Sequence, residues 1–197
     1  MKRIFDIIVS LIGIIILSPL LIIISLKIKL HDGGPVYYKA KRVGKNSKLF
    51  LMYKFRSMVL DADKIGASST TLNDPRITPV GQFIRKYKID EIPQLYNVLY
   101  GHMSIVGPRP QIEWAVKLYT ETEKKVLSVR PGITDYASLK FSNEAEILEG
   151  SLDPDKTYME LIHPQKMLLS LEYIKNQSFI TDLTIIIKTI TKILYKS

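Results

Sequence analysis

An apolar segment near the start of the chain is the feature that most limits how this protein can fold. From Ile4 to Leu26 the residues are dominated by Ile, Leu and Val. About 20 such residues in a helix cross the ~30 Å hydrocarbon core of a bilayer, so the segment predicts membrane insertion. It is long for a secretory signal peptide, and no small-residue cleavage site precedes the basic stretch that follows, so we expect it to be retained.

The flanks and the middle of this segment leave its topology open. Lys2 and Arg3 precede it and further lysines follow it, and such residues concentrate on the cytoplasmic side of a membrane. Ser18-Pro19 lies past the middle, where proline removes a backbone hydrogen bond and favours a bend. The Ser18 hydroxyl is a candidate partner for the freed carbonyl. A re-entrant helix and a kinked spanning helix both fit.

Asp6 lies just inside the apolar run, three residues after Arg3. Residues at this spacing share a helix face, so we expect the two side chains to pair. Pairing would lower the cost of a carboxylate near the membrane interface. We therefore interpret Asp6 as part of the anchor in preference to a chemical role.

Size and charge limit the rest of the molecule. The chain has 197 residues and a formal net charge of +9, which predicts one compact domain with appendages and favours anionic lipid, phosphorylated substrates or nucleic acid as partners. It contains no cysteine, which excludes disulfides and cysteine-ligated zinc. No recognised nucleic-acid-binding motif is present, and the apolar anchor argues against that partner.

Two short strands and several helices are indicated after the anchor. Residues 36–38 and 48–56 have the aromatic, β-branched and alternating content of strands. Asp90 has the residue type of a helix N-cap, with Pro93 in the first turn of that helix. We expect a polar excursion at 61–79 and helices at about 83–85, 92–99, 111–118, 121–127 and 156–175, the last bent at 163–164.

The final segment, 178–197, has the pattern of an amphipathic helix. One stripe is apolar, and lysines lie elsewhere on the helix. It could lie on a membrane surface or pack against the core, and the sequence alone does not choose. The apolar stripe consists of Ile180, Leu183, Ile187, Ile190 and Leu194.

The chemistry indicated by the sequence rests on carboxylates and arginines. Phosphate loops, dinucleotide-binding fingerprints, zinc helices and serine elbows are absent from the sequence. An acidic pair, Asp90-Glu91, is followed by Arg109 and Arg130, each set in a proline-stiffened turn. A fixed guanidinium fork suits phosphate oxygens. Together these features point to phosphate chemistry more strongly than any one of them alone.

In order and spacing, these motifs resemble those of the small monotopic phosphoglycosyl transferases, the bacterial sugar transferase family that begins lipid-linked glycan assembly. The resemblance covers nearly the whole chain. Two departures, at 135–138 and at Ser170, bear on sugar specificity. The motifs that carry it are Lys2-Arg3-Ile4-Phe5-Asp6, Ser18-Pro19, Lys41-Arg42-Val43-Gly44, Tyr53-Lys54-Phe55-Arg56-Ser57-Met58, the ten residues from Asp90 to Leu99, Gly107-Pro108-Arg109-Pro110 and Arg130-Pro131-Gly132-Ile133-Thr134.

The resemblance implies a mainly α-helical fold with a few short β-strands. Residues 1–30 would form a re-entrant membrane helix, the topology that the family favours. Residues 31–177 would form a compact catalytic domain on the cytoplasmic face of the bacterial inner membrane. Residues 178–197 would be an amphipathic helix on the domain or on the membrane surface. The oligomeric state stays open, a homo-oligomer included.

The resemblance also implies roles for individual residues. Asp90 would attack a UDP-sugar, release UMP and carry the phosphosugar to undecaprenyl phosphate by a ping-pong mechanism. Glu91 would bind Mg2+ with Asp90 or manage a proton. We expect nearby cations to lower the pKa of Asp90 and Glu91 to raise it. The alternative function is a non-catalytic basic adaptor on anionic lipids. The phosphate-binding residues would be Arg42, Lys54, Arg56, Arg109 and Arg130.

Overall fold

A computed structural model of the protein describes residues 1–65, 69–71 and 74–195, so part of the excursion expected at 61–79 lies outside the described residues. The described chain is mainly helical with short strands, as predicted. The strands are β1 (Tyr37–Val43), β2 (Leu49–Phe55), β3 (Ser104–Val106) and β4 (Gly132–Thr134). The helices are α1 (Lys2–Asp32), α2 (Pro79–Lys86), α3 (Gln94–Leu99), α4 (Glu113–Lys117), α5 (Tyr136–Lys140), α6 (Glu144–Ile147), α7 (Pro154–Thr157), α8 (His163–Lys175) and α9 (Phe179–Tyr195).

Helix α1 contains the apolar segment and is long and apolar enough to cross a membrane. About half of its residues are exposed, and the exposed Ile and Leu side chains form a broad apolar face. The helix continues through Pro19. The Ser18 hydroxyl donates to the carbonyl of Ile15 at 2.8 Å, which is the carbonyl that proline leaves without an N–H donor. The predicted role of Ser18 is therefore confirmed.

The start of α1 is fastened to the domain, and the predicted Arg3–Asp6 pair is wrong. The Arg3 guanidinium donates to the carbonyls of Val98 and Leu99 at 2.6 and 3.0 Å, at the end of α3. The buried Asp6 carboxylate accepts from the Ser104 hydroxyl at 2.9 Å and from the Ile105 N–H at 3.1 Å. Both side chains find stronger partners in the domain than in each other, because unsatisfied helix-end carbonyls and buried donors need them.

Two separate strand pairs support the domain. Strands β1 and β2 form an antiparallel hairpin in which Tyr37 lies opposite Phe55; β2 matches the prediction, whereas β1 is longer than expected. Strands β3 and β4 pair in parallel, and each has only three residues. So short a strand carries little periodicity, which explains why neither was predicted.

The main hydrophobic core lies between the hairpin, β3, α8 and α9. Met52, Met103 and Tyr173 are almost fully buried there. A second core joins α1 to α2 through residues such as Ile24, Phe55 and Ile84. The anchor helix is thus part of the folded domain along its length and not a detached tether.

Helix α9 packs on the core by a face other than the predicted apolar stripe. Asp182 and Ile185 are buried, and the Thr189 hydroxyl contacts that of Thr134 at 2.7 Å. Of the predicted apolar stripe, four of five side chains are exposed and Leu183 is partly buried. The helix therefore contacts the core and still leaves an apolar face uncovered. The exposed members are Ile180, Ile187, Ile190 and Leu194.

Three other helix predictions need correction in detail. The helix expected at 83–85 begins earlier, at Pro79, because the Thr78 side chain caps it by accepting from the Gly81 N–H. The segment expected to be helical at 121–127 is a 3-10 helix, Glu123–Ser128. The bend expected at 163–164 is a π-helical stretch, Tyr158–Ile162, that ends where α8 begins at His163, with Pro164 in the first turn of α8. Proline lacks the N–H that would continue the preceding turn.

We predict that Asp6→Ala lowers the melting temperature of the detergent-solubilised protein. The change leaves the buried Ser104 hydroxyl and Ile105 N–H without an acceptor, at a cost of about 1–3 kcal/mol. Glu121→Ala is the matched control, because its carboxylate is exposed and pairs with Lys124 on the surface. Equal melting temperatures for the two variants would contradict the fastening role of Asp6.

Candidate active site

Asp90 and Glu91 lie in a 3-10 turn, Ile89–Glu91, between α2 and α3. Lys88 precedes the turn with a left-handed backbone, φ 56°, a conformation that is uncommon outside glycine and often found at functional sites. Helix α3 begins only at Gln94, after Pro93. The prediction that Asp90 caps a helix is therefore wrong, and its carboxylate has no capping role.

Lys54 reaches the acidic pair from β2. Phe50 and Met52 are buried on one face of this strand, and side chains two residues apart point the same way. Lys54 continues that series, so its stem follows the core face and its amine meets the carboxylates. Its Nζ lies 2.8 Å from Glu91 Oε1 and 3.7 Å from Asp90 Oδ2.

Arg109 is positioned by the two proline-rich turns, which are joined backbone to backbone. The Gly107 N–H donates to the carbonyl of Thr134, and the Gly132 N–H donates to that of Pro108, both at 3.0 Å. A Cβ on Gly107 would lie 2.5 Å from the carbonyl oxygen of Arg130, and one on Gly132 would lie 2.1 Å from the nitrogen of Gly107. Only glycine permits this approach, which fixes the loop that carries Arg109.

Glu91 accepts from both cations. The Arg109 guanidinium grips the carboxylate with two nitrogens, one of them at 3.2 Å from Oε2, and Lys54 shares Oε1. Burial opposes ionisation of Glu91, but Arg109 and Lys54 together hold its pKa well below the usual range. Glu91 is therefore an ionised centre that joins β2, the 3-10 turn and the Gly107–Pro110 loop.

Asp90 is in the opposite situation. Its side chain is only 9% exposed, and its carboxylate has no hydrogen-bond donor among the described residues. Burial raises the pKa of Asp90, Lys54 opposes the rise, and the neighbouring charge of Glu91 adds to it. Lys54 and Glu91 act on the pKa in the expected directions, but burial, which the sequence does not show, has the largest effect. The result is a carboxylate with free lone pairs beside fixed positive charges.

Two further cations lie near the acidic pair. Arg42 has its pKa lowered by burial and by Arg109, with Glu91 opposing, and Lys88 has its pKa lowered by burial, with Glu91 again opposing. Arg42 was predicted at the site, whereas Lys88 was missed although it lies two residues before Asp90. Clustered positive charge of this kind suits the oxygens of a diphosphate.

Two of the predicted phosphate-binding arginines lie away from the pair. Arg56 forms a two-pronged ion pair with Asp32 at the end of α1, at 2.5 and 2.7 Å. Arg130 is exposed and donates to the carbonyl of Gly101 at 2.9 Å. Both positions have structural partners that a linear motif does not reveal. The structure therefore brings together Asp90, Glu91, Lys54, Arg109 and Arg42. Arg56 and Arg130 lie outside this group.

The described residues would hold Mg2+ only together with the phosphates of a substrate. The described chain has no group of three or more acidic or histidine side chains able to hold a metal ion. Mg2+ is commonly held by one or two carboxylates plus substrate phosphates. Asp90 has free oxygens for such a role, whereas Glu91 already binds two cations and would have to release one of them.

A family model described as bacterial sugar transferase matches residues 1–196. The chain belongs to the bacterial sugar transferase family. It is 39% identical to the exopolysaccharide production protein PSS of Rhizobium leguminosarum bv. phaseoli, over 96% of this chain and 93% of the relative.

Two other relatives of this sugar transferase carry names that state a sugar. One is the undecaprenyl-phosphate glucose phosphotransferase of Komagataeibacter xylinus, 38% identical over 97% of this chain and 35% of the relative. The other is the UDP-N-acetylgalactosamine-undecaprenyl-phosphate N-acetylgalactosaminephosphotransferase of Aeromonas hydrophila, 38% identical over 98% of this chain and 43% of the relative. The chain spans less than half of each of these two longer proteins.

We predict that Glu91→Gln destabilises the protein at neutral pH. Lys54 and Arg109 would lose their shared carboxylate in a buried setting, at a cost of about 3–5 kcal/mol. Because the folded pKa of Glu91 is depressed, its stabilising effect is complete above the ordinary glutamate pKa of about 4.3 and is lost only as the pH falls through the lower folded value. Thermal melts from pH 4 to pH 8 measure the difference from wild type.

Glu113→Gln is the control, because that carboxylate pairs with exposed Lys41 and Lys117. A Glu91→Gln variant as stable as this control at pH 7 would contradict the central role of the ion pairs.

Proposed function

We propose that this sugar transferase moves a sugar 1-phosphate from a UDP-sugar to undecaprenyl phosphate. Membership of the family and the names of its relatives support the reaction class. The observation that carries the proposal is the Asp90 carboxylate, which is buried and without a hydrogen-bond donor among the described residues, beside Lys54 and the Glu91–Arg109 pair. A carboxylate that accepts no hydrogen bond and lies beside cations suits nucleophilic attack on phosphorus.

The reaction proceeds in two displacements. An Asp90 oxygen attacks the sugar-bearing phosphorus, a P–O bond to Asp90 forms, the bond to the bridging oxygen breaks, and UMP leaves with that oxygen. An oxygen of undecaprenyl phosphate then attacks the same phosphorus, the bond to Asp90 breaks, and the carboxylate is regenerated. The product is an undecaprenyl diphosphosugar, and the two steps give ping-pong kinetics.

The cations around the pair have separate tasks in this scheme. Phosphoryl transfer requires fixed positive charge where the transferred oxygens lie. Lys54 lies close to both carboxylates, so it can stabilise the negative charge of Asp90 and then that of the transferred phosphoryl group. Arg109, held by Glu91, presents its guanidinium from the opposite turn. Arg42 and Lys88 extend the positive surface for the leaving phosphate.

Asp90, together with the substrate phosphates and with Glu91 once that side chain releases a cation, would hold Mg2+. When bound, the ion would neutralise phosphate charge and favour the ionised form of Asp90. Glu91 otherwise keeps Lys54 and Arg109 in place.

The membrane gives the site access to a lipid phosphate. The exposed apolar faces of α1 and α9 suit hydrocarbon and the headgroup boundary. A re-entrant α1 would place the catalytic domain on the cytoplasmic side of the inner membrane, with the site near the headgroups. The alternative function, a lipid-binding adaptor, does not explain the ion-paired acidic site.

We predict that Asp90→Asn abolishes UMP release. The assay uses purified protein in detergent, Mg2+, undecaprenyl phosphate and a panel of UDP-sugars, and loss of the nucleophile should slow turnover by at least about 1000-fold. Asp61→Asn is the control, because the Asp61 carboxylate is exposed and pairs with Lys64. Release of UMP, in place of UDP, identifies transfer of the sugar phosphate instead of the sugar alone. UMP release that persists in Asp90→Asn would remove Asp90 from the mechanism, and a folded wild type that turns over no donor would favour the adaptor.

We predict that Lys54→Met shifts the acid limb of the pH–rate profile to higher pH. Asp90 must be ionised to attack, burial raises its pKa, and Lys54 opposes that rise. Removing the lysine should raise the pKa further, so kcat/KM falls off at a higher pH than in wild type. Lys39→Met is the control, because Lys39 lies over the Tyr53 ring on the neighbouring strand. An acid limb that stays in place or moves to lower pH would contradict this role.

A further inference from the structure

A second group of buried polar side chains lies next to Arg109, and the proposed phosphate chemistry does not use it. The Gln111 amide donates to the Tyr158 hydroxyl at 2.9 Å, only two residues along the chain from Arg109. Lys166 hydrogen-bonds Glu144, and its amine lies 5.1 Å from the centre of the Tyr158 ring and 5.9 Å from that of Phe141. We call Gln111, Phe141, Glu144, Tyr158 and Lys166 the Lys166 cluster.

Arg109 connects this cluster to the acidic pair. Its pKa is raised chiefly by Glu91, and also by Glu144 and by the buried Asp135. The same guanidinium therefore has the dyad and the cluster within electrostatic range.

The Lys166–Glu144 pair is poorly explained as a source of stability. The Lys166 side chain is only 9% exposed, whereas that of Glu144 is 34% exposed, so the pair is buried at one end and open at the other. Burying an ammonium is costly, and replacing a buried ion pair with apolar groups is often neutral or stabilising. A retained pair of this kind beside a reactive site indicates a binding role.

The chemistry of the cluster favours a neutral polyhydroxy ligand. It offers a carboxylate acceptor, an ammonium, an amide and a phenol, and it adds two aromatic faces. Near Lys166, the carboxylates Glu144 and Asp135 balance the charges of Lys166 and Arg109. Arg109 is also paired with Glu91, so no positive charge is left over for a second phosphate. Hydroxyl groups can donate to Glu144 and accept from Lys166, and the rings can cover the apolar face of a pyranose.

We propose that the Lys166 cluster is the subsite that binds and selects the sugar of the nucleotide-sugar donor. This inference rests on the proposed function, which supplies the donor. The sugar is favoured over the uridine because it is attached to the phosphorus that Asp90 attacks, next to Arg109. The nucleoside is attached to the other phosphate.

The test compares Lys166→Met and Glu144→Gln with wild type on UDP-glucose, UDP-galactose, UDP-N-acetylglucosamine and UDP-N-acetylgalactosamine. We expect kcat/KM for the best wild-type donor to fall at least about tenfold, the size of a lost hydrogen bond to a charged group, and the ratio between donors to change. Asp182→Asn is the control, because it also disrupts a lysine–carboxylate pair that is buried at one end only, with Lys2. It should affect all donors by the same factor.

A binding measurement makes the result independent of turnover. In the Asp90→Asn background, which cannot form the intermediate, titration calorimetry compares each UDP-sugar with UDP. We expect the best donor to bind more tightly than UDP and this advantage to disappear with Lys166→Met, while UDP binding is unchanged. That result would support the subsite even if the wild type turned over no donor.

Two results would overturn the inference while leaving the proposed function intact. One is an equal fall in kcat/KM for every donor in Lys166→Met and Glu144→Gln, with wild-type turnover present. The other is an equal loss of affinity for UDP and for UDP-sugar, which would assign the cluster to the nucleotide or to stability.

Discussion

The ion pairs of Glu91 hold together the parts of the molecule on which the site depends. One carboxylate binds Lys54 from the hairpin and Arg109 from the Gly107–Pro110 loop. These elements are far apart in sequence. The buried Glu91 carboxylate therefore links these elements. Because it pairs with both cations, neither of them neutralises Asp90 completely.

Several features were readable from the sequence because they depend on local pattern. The length and composition of α1 are enough to predict an apolar helix. Ser18 before Pro19 predicts a hydrogen bond from the serine hydroxyl to the carbonyl that the proline leaves without a donor. The residues of the acidic pair and the proline-rich turns could be named from spacing alone. The membrane topology of α1 depends on a bilayer and remains a prediction.

Other features depend on which segments meet in space. Arg56 and Lys54 are two residues apart in one motif, yet Lys54 meets the acidic pair and Arg56 meets Asp32. Side chains two residues apart on a strand point the same way, so alternation does not separate them. They separate because β2 ends at Phe55 and Arg56 lies beyond the strand. Arg3 and Asp6 likewise bind the ends of α3 and β3 instead of each other. Burial of Asp90, which dominates its pKa, is also a property of the assembled fold.

Helix α3, which follows the turn that carries Asp90, begins with a polar side chain that the described residues leave unsatisfied. Gln94 is fully buried, and neither its amide oxygen nor its nitrogen has a hydrogen-bond partner among the described residues. Asn97, one turn later, is satisfied by the backbone of Tyr53 and Leu51. Each unsatisfied buried amide or carboxylate lowers stability by about 1–3 kcal/mol. Such groups are rare in folded proteins. One of them lies four residues after the buried Asp90 carboxylate, whose ion pair with Lys54 is 3.7 Å long, and this indicates that the segment is shaped for binding and reaction at the expense of stability.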